Sequence, residues 1–226
     1  MASDNQKALV LFARDPIAGK VKTRLRQILD EETTLRLYTS FLKDSIDKLF
    51  QLQDIRRLIG VTPSLSSGFF DPWNEDPGIE IFIQQGEDLG ERLRDTFAQQ
   101  FSAGCGKVVI IGSDSPTLPM EYIERAFASE KEIVLGPCTD GGYYLIGLNR
   151  KLVDVFSGIS WGTDQVLEQT LARIREQSAQ LELLPVWYDV DLPEDLRFLK
   201  VHSDLMVQSG MQVPGATVHL LAELKL

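Results

Sequence analysis

The sequence predicts a three-layer α/β/α fold with a mostly parallel central sheet and one antiparallel strand. Three observations carry that expectation. Strand-like and helix-like segments alternate along the chain, the pattern of a parallel sheet with helices on both faces. Val108-Val109-Ile110-Ile111-Gly112 is a continuous apolar run rich in β-branched residues, as a central strand covered on both sides requires. Tyr143 to Leu148 follows a strand ending at Leu135 too closely for a helical crossover, which needs about a dozen residues. That strand therefore runs antiparallel or belongs to a different edge.

Taken in order, Ala8 to Ala13 is an apolar strand, and residues 21–50 carry helical periodicity through Leu25, Leu37, Phe41, Ile46 and Leu49. Residues 55–61 form a second strand. Residues 62–78, rich in Ser, Pro, Gly and Asp, read as a loop. Residues 79–83 are a third strand, 89–101 a helix, 107–112 the fourth strand, and 120–128 a helix opened by Pro119. Residues 132–135 are the fifth strand, and a Gly-Gly turn feeds 143–148. Residues 163–180 are helical, 181–190 a strand and 193–207 a helix. Residues 210–226 read as an edge strand or a docking tail. No repeat, low-complexity tract or linker divides the 226 residues, so one domain is expected.

Composition excludes several classes. A net charge of −10 argues against non-specific nucleic-acid binding, which needs a basic face. No apolar stretch approaches the roughly 20 residues of a membrane-spanning helix. The polar stretch Met1 to Lys7 leads straight into a strand and reads as no signal peptide. Cys105 and Cys138 suggest neither a disulfide framework nor a zinc site, and are expected to be buried thiols of a cytoplasmic protein.

The chemistry gathers where strands end. Asp114, in Ser113-Asp114-Ser115-Pro116-Thr117, sits at the carboxyl end of the fourth strand, where open α/β sheets bind ligands. A carboxylate there is placed to hold a divalent cation against a phosphate. After the first strand, Arg14 to Arg24 holds Gly19, Lys20, Lys22 and Thr23 around an expected helix start. Such a start binds anions through unpaired N–H groups and its dipole, and without an anion the same cations oppose that dipole. The bland reading is a solvated basic helix start. The kinase-type phosphate loop does not fit, because Gly19-Lys20 is followed by Val21.

Near the C-terminus, Asp191 with Glu194 and Pro193 reads as a capping box. Asp189 lies two residues earlier on the same strand face, so both could project towards Asp114. Asp140-Gly141-Gly142-Tyr143 is either a tight turn or a loop that lets backbone approach a sugar or phosphate while Asp140 accepts from hydroxyls. Trp161 either fills the core or stacks on a sugar ring, and Thr163 could cap the next helix. Asp88 with Glu91 reads as a helix entry, and its position lets Gly90 and Arg92 line the same pocket. His202 and His219 lie outside every motif and read as structural.

These segments, in order, resemble a family of small bacterial proteins. The stretches are Pro16-x-x-Gly19-x-x-Lys22-Thr23-Arg24-Leu25, Asp88-Leu89-Gly90-x-Arg92, Gly112-Ser113-Asp114-Ser115-Pro116, Asp140-Gly141-Gly142-Tyr143-Tyr144 and Asp189-Val190-Asp191-x-Pro193-x-Asp195-Leu196. They look like those of nucleotide-diphospho-sugar transferase-like glycosyltransferases, including the arsenosugar-biosynthesis type. The likeness spans residues 7–200, and the chain is similar, more distantly, to molybdenum-cofactor and phospholactate guanylyltransferases. It implies a GT-A-like fold with the nucleotide over the carboxyl edge of the sheet, and a divalent metal, Mg²⁺ or Mn²⁺.

By position, Asp114 matches the metal-binding Asp of the glycosyltransferase Asp-x-Asp motif or of the nucleotidyltransferases. Ser115 replaces the second acid, so Asp189 or Asp191 must supply it. Arg14, Lys20 and Arg24 stand where nucleotidyltransferases carry a glycine-rich loop. The preferred expectation is transfer of a glycosyl group from a nucleotide-sugar, with Asp114, Asp140 and Lys22 catalytic. Arg14, Gly19, Lys20, Thr23, Arg24, Gly90, Arg92, Ser113, Gly141, Gly142, Tyr143 and Trp161 would bind substrate, and Asp114, Asp189 and Asp191 the metal. The alternatives are a nucleotidyltransferase releasing pyrophosphate and a non-catalytic nucleotide-binding protein. The aromatic loop 62–78 would touch the acceptor or a second subunit, so a homodimer is compatible with the sequence.

Overall fold

Period-two alternation along β1 (Gln6–Arg14) sorts its side chains onto two cores. Leu9 and Leu11 enter one cluster, Ala8 and Val10 the other. The chain is described from residue 6 to residue 224 of a computed structural model. Seven strands form one sheet in the order β3-β2-β1-β4-β6-β5-β7. These are β2 (Ile55–Thr62), β3 (Glu80–Ile83), β4 (Cys105–Gly112), β5 (Ile133–Pro137), β6 (Tyr143–Asn149) and β7 (Leu181–Leu183). Only β6 runs against its neighbours, pairing antiparallel with both β4 and β5.

Helices cover both faces. On the first, α1 (Glu31–Gln51), α4 (Met120–Ala128), α6 (Pro193–Gln208) and α7 (Gly215–Glu223) bury Phe41, Ile123, Leu196 and Leu220 against Leu9, Leu11 and Ile111. On the second, α3 (Leu89–Ser102) and α5 (Val166–Glu176) bury Phe97 and Ile174 against Val10, Val108 and Ile110. The expected three-layer architecture with one antiparallel strand is therefore the observed one. No helix among the described residues is long and apolar enough to cross a membrane. Both cysteines are buried and free.

Four segments differ from the sequence expectation. The single helix over 21–50 is two pieces, a 3₁₀ turn (Thr23–Gln27) and α1, because Asp30 takes an extended backbone and its carboxylate accepts from the Thr33 N–H at 2.7 Å. The loop 62–78 contains a short helix, α2 (Asp71–Asn74), with Pro72 in its first turn. The strand over 181–190 stops at Leu183; Pro185 has no N–H to give a ladder, and only one bridge, Cys138 to Trp187, follows it. The described part of 210–226 is a docking tail, and its helix α7 lies on α1.

That docking has a specific anchor. The buried carboxylate of Asp44, in the middle of α1, accepts from the N–H groups of Ala216 (2.9 Å) and Thr217 (2.7 Å) at the start of α7. It satisfies orphan donors that Pro214 cannot cap. Replacing Asp44 by Ala should cost about 1–2 kcal/mol in a urea melt. Amide exchange should rise within 215–223 ahead of the rest of the chain.

Candidate active site

The order β3-β2-β1-β4 means the chain crosses from one side of β1 to the other between β3 and β4, which puts a topological switch point between β1 and β4. Open α/β sheets bind ligands at the carboxyl ends of such strands. The loops after β1 and β4 flank a cleft of about 660 Å³, lined also by Cys138, Asp140, Gly142, Tyr143 and Tyr144 and by Asp189 and Asp191. Of the expected site residues, Gly19, Gly90, Gly141 and Trp161 do not line it.

At its centre is an ion triad. Lys22 Nζ lies 2.6 Å from Asp114 Oδ1 and 2.6 Å from Asp191 Oδ1, and the lysine side chain is 4% exposed. Burial would lower the Lys22 pKa, but the two carboxylates raise it well above its ordinary value. Burial likewise would raise that of Asp191, and the Lys22 ammonium outweighs it and holds the acid below its usual range. Lys22 adopts a left-handed backbone, φ 45° and ψ 39°, uncommon for a side chain of this kind. Thus the basic loop does not enter a regular helix: it turns Lys22 inward and leaves Arg14, Lys20 and Arg24 at the rim.

The scaffold around the triad is made of residues with no motif of their own. The Tyr38 hydroxyl, from α1, accepts from the Arg14 N–H at 2.9 Å and lies 3.2 Å from Ser113 Oγ, so one phenol joins the two loops. Burial, with the Asp114 charge nearby, pushes its pKa up to about 12. Lys48, buried, donates to the Pro116 carbonyl at 2.6 Å from below. The Val190 N–H donates to the Asp114 carbonyl at 3.0 Å, tying 188–191 to the β4 loop. Asp15 accepts from Ser64 Oγ, the Ser66 N–H and hydroxyl, and the Ser67 N–H, which pins the loop after β2.

The other wall carries the second acid group. Ligand atoms of Asp140, Asp189 and Cys138 lie within 4.8 Å of one another. Burial first, then the charges of Asp140 and Asp191, raise the Asp189 pKa to about 6. Burial also pushes the Cys138 thiol far up, so it stays protonated. The expected metal trio is thus divided: Asp114 and Asp191 share Lys22, while Asp189 sits with Asp140.

Several smaller readings change. Asp191 is not the cap of α6; Leu192 holds that position, and Asp195 in the first turn reaches back to accept from the N–H groups of Leu192 (2.7 Å) and Asp191 (3.1 Å). Asp88 does cap α3, accepting from the Glu91 N–H at 2.8 Å, but Glu91 reaches Glu87 rather than completing the box. Arg92 donates to the carbonyls of Gly86 and Glu87. Trp161 belongs with the core: it packs edge-on to Tyr143, and a Cβ on Gly90 would meet its Nε1 at 2.4 Å. Gly141 (φ +91°) is needed because a Cβ would meet the Asp164 backbone at 2.7 Å. Thr163 accepts from the Gln165 N–H just ahead of α5, two residues short of the cap position. His202 pairs with the Tyr188 hydroxyl at 2.7 Å, and His219 lies beside Glu223 on α7.

Known proteins share the sequence and the fold. Residues 45–163 match the family described as "Uncharacterized protein conserved in bacteria (DUF2064)". A Desulfovibrio desulfuricans G20 structure, provisionally described as a nucleotide-diphospho-sugar transferase, is 32% identical, with a TM-score of 0.87 over 97% of this chain and 95% of that one. Among curated proteins, a 2-phospho-L-lactate guanylyltransferase of Methanopyrus kandleri is 26% identical over 79% of this chain and 84% of its own. That of Haloarcula marismortui is 22% identical over 88% of this chain and 91% of its own.

Two outcomes follow from the acids. Replacing Lys22 by Met leaves Asp114 and Asp191 facing each other unneutralised, and should cost about 3 kcal/mol, a fall of roughly 6–12 °C in Tm. Adding Asp191→Asn to that variant should recover part of the loss, and strict additivity in calorimetry would contradict the triad. For Asp189, a folded-state pKa raised to about 6 means the native protein binds more protons than the unfolded chain from about pH 4 to 6. This acid therefore subtracts stability as pH rises through that window. The stability advantage of Asp189→Asn over the parent should grow from pH 4 to 6, measured by denaturant melts at each pH.

Proposed function

From the premise that this chain belongs to the DUF2064 family, we propose that it is a nucleotidyltransferase: it joins a nucleoside monophosphate from a triphosphate to a phosphorylated acceptor and releases pyrophosphate. This reverses the order of the two enzyme readings that the motifs alone favour. The transferase class follows from its relatives, which carry transferase names. The observation that carries the finer reading is the cleft at the switch point, where Arg14, Lys20 and Arg24 line one rim and an acid pair the other. Two guanylyltransferases among the sequence relatives support GTP as the donor to try first.

The acid pair fits a divalent cation. Asp140 and Asp189 bring hard oxygens, and burial, followed by the Asp140 charge, raises the Asp189 pKa to about 6. Asp114 and Asp191 are already matched by Lys22. Mg²⁺ or Mn²⁺ held at Asp140 and Asp189 would neutralise phosphate charge as it develops.

The chain's own residues supply the rest. An acceptor phosphate oxygen forms its bond to the α-phosphorus as the bond from that phosphorus to the β-bridging oxygen breaks. Pyrophosphate leaves with the electron pair. The acceptor is already an anion, so no general base is required, in keeping with two histidines engaged elsewhere. Arg14, Lys20 and Arg24 are aimed at charge on the leaving pyrophosphate, and fixed cations of this kind supply a large share of catalysis. Lys22 acts by setting the two carboxylates rather than by gripping phosphate.

Glycosyl transfer is the second reading, supported by the Desulfovibrio protein's description at 32% identity. It would use the same cleft with a nucleotide-sugar. The deciding assay incubates the protein and Mg²⁺ or Mn²⁺ with each nucleoside triphosphate and a panel of phosphorylated acceptors, 2-phospholactate among them, and measures pyrophosphate. Nucleotidyl transfer predicts pyrophosphate release that falls 10²- to 10³-fold in Asp140→Asn. Release of nucleoside diphosphate from a nucleotide-sugar, with none of pyrophosphate, would establish glycosyl transfer instead.

A further inference from the structure

Away from the cleft, α6 presents an apolar stripe to solvent. Phe198, Val201 and Leu205 are spaced three and four residues apart and lie on one face, at 55%, 58% and 61% exposure. The opposite face of the same helix, through Leu196, Leu199, Ser203 and Met206, is fully packed. An amphipathic helix needs one apolar stripe for its own core, and α6 carries two. Val186, at 59% exposure, extends the outer stripe, because it shares with Phe198 the wall of a pocket of about 470 Å³ that also holds Trp187, Tyr188 and His202. Four such side chains expose on the order of 400 Å² of apolar surface, the size of the largest patch a monomer ordinarily carries and one that is often functional.

We propose that this stripe is a symmetric interface in which α6 pairs antiparallel with α6 of a second copy of the chain. The charge pattern selects that partner. Arg197 and Asp204 both lie on one flank of the stripe, seven residues apart, both exposed, and neither forms an ion pair within the chain among the described residues. In an antiparallel helix pair related by a twofold axis, the same flank of each helix meets itself. With the axis near Val201, Arg197 of each copy faces Asp204 of the other, and Phe198 faces Leu205. Both ion pairs and both apolar contacts are then made by one helix, with no other partner required. In a parallel pairing the two copies of this flank lie on opposite sides of the seam, so Arg197 and Asp204 would not meet. The side chains at the pocket mouth give Leu205 of the second copy an apolar seat, and the charged flanks of the helix form the polar rim around it.

The pairing also reaches the cleft. The pocket under the stripe is walled by Thr139 and Tyr188, whose chain neighbours Asp140 and Asp189 form the acid pair. The interface would thus brace that wall from behind.

Sedimentation velocity on the full chain between 1 and 100 μM tests the pairing. The expected result is a monomer–dimer equilibrium that shifts at least 10-fold towards monomer in Leu205→Glu and in Arg197→Asp. The charge exchange Arg197→Asp with Asp204→Arg should restore the dimer. A second measurement guards against misfolding of those variants. Val201→Cys, at the proposed axis, should give a disulfide-linked dimer on oxidation, while Gln208→Cys should not; Cys105 and Cys138 are buried and silent. A parent chain that stays monomeric at 100 μM overturns the proposal. So does a dimer indifferent to Leu205→Glu, or cross-linking equal at 201 and 208.

Discussion

The Lys22 ammonium, enclosed by Asp114 and Asp191, is the contact on which the rest of the site depends. It joins three segments far apart in the chain: the loop after β1, the loop after β4 and the approach to α6. Its geometry is costly on both sides. A left-handed backbone at a lysine costs roughly 1–2 kcal/mol, and a buried ammonium is tolerable only when paired. Each cost is offset by the same pair of 2.6 Å contacts, and unfavourable backbone persists where its surroundings over-determine it. Once Lys22 turns inward, the cations on either side of it, Lys20 and Arg24, are left to face the cleft.

The sheet provides the rigidity this arrangement needs. β1 and β4 are central and bury both faces, so their ends cannot move independently. Tyr38 and Lys48 then project from α1 to the two loops, one at Arg14 and Ser113, the other at Pro116. One helix therefore fixes both loops relative to one strand pair. Such support on regular elements holds a constellation more tightly than loop-to-loop contacts would.

How much of this was legible follows from where each signal lies. The strands and their order of type were readable because apolar runs are local, and the motif positions were readable because they begin where those runs end. What failed was set by partners remote in sequence or by local competition that a pattern does not register. Lys22 and Asp191 are 169 residues apart, so no spacing announces that they pair. Asp191 with Glu194 satisfied a local capping pattern, yet Asp195, one residue on, makes the bonds. The periodicity over 21–50 was real on both sides of Asp30 and gave no sign of the break. Tyr38 lies mid-helix among other core residues, and nothing but the fold distinguishes it. Trp161 looked equally apt for a sugar or a core until Gly90 was found beneath it.

The charge balance of the cleft gives the proposed chemistry its strongest constraint. Five carboxylates, Asp114, Asp140, Asp164, Asp189 and Asp191, line it together with five cations, Arg14, Lys20, Lys22, Arg24 and Arg92. A protein of net charge −10 has thus gathered just over a fifth of its 23 Lys and Arg residues there, and still only reaches neutrality. A polyanionic triphosphate entering such a cleft meets no net attraction. The cations are segregated, however: Arg14, Lys20 and Arg24 stand together on the β1 side, and Asp140 and Asp189 on the other. A triphosphate laid along the basic rim would leave its far oxygens facing the acid pair, an arrangement that repels unless a divalent cation lies between. Under the proposed function the acid pair is therefore the counterpart of the basic loop, and neither half could hold the substrate alone.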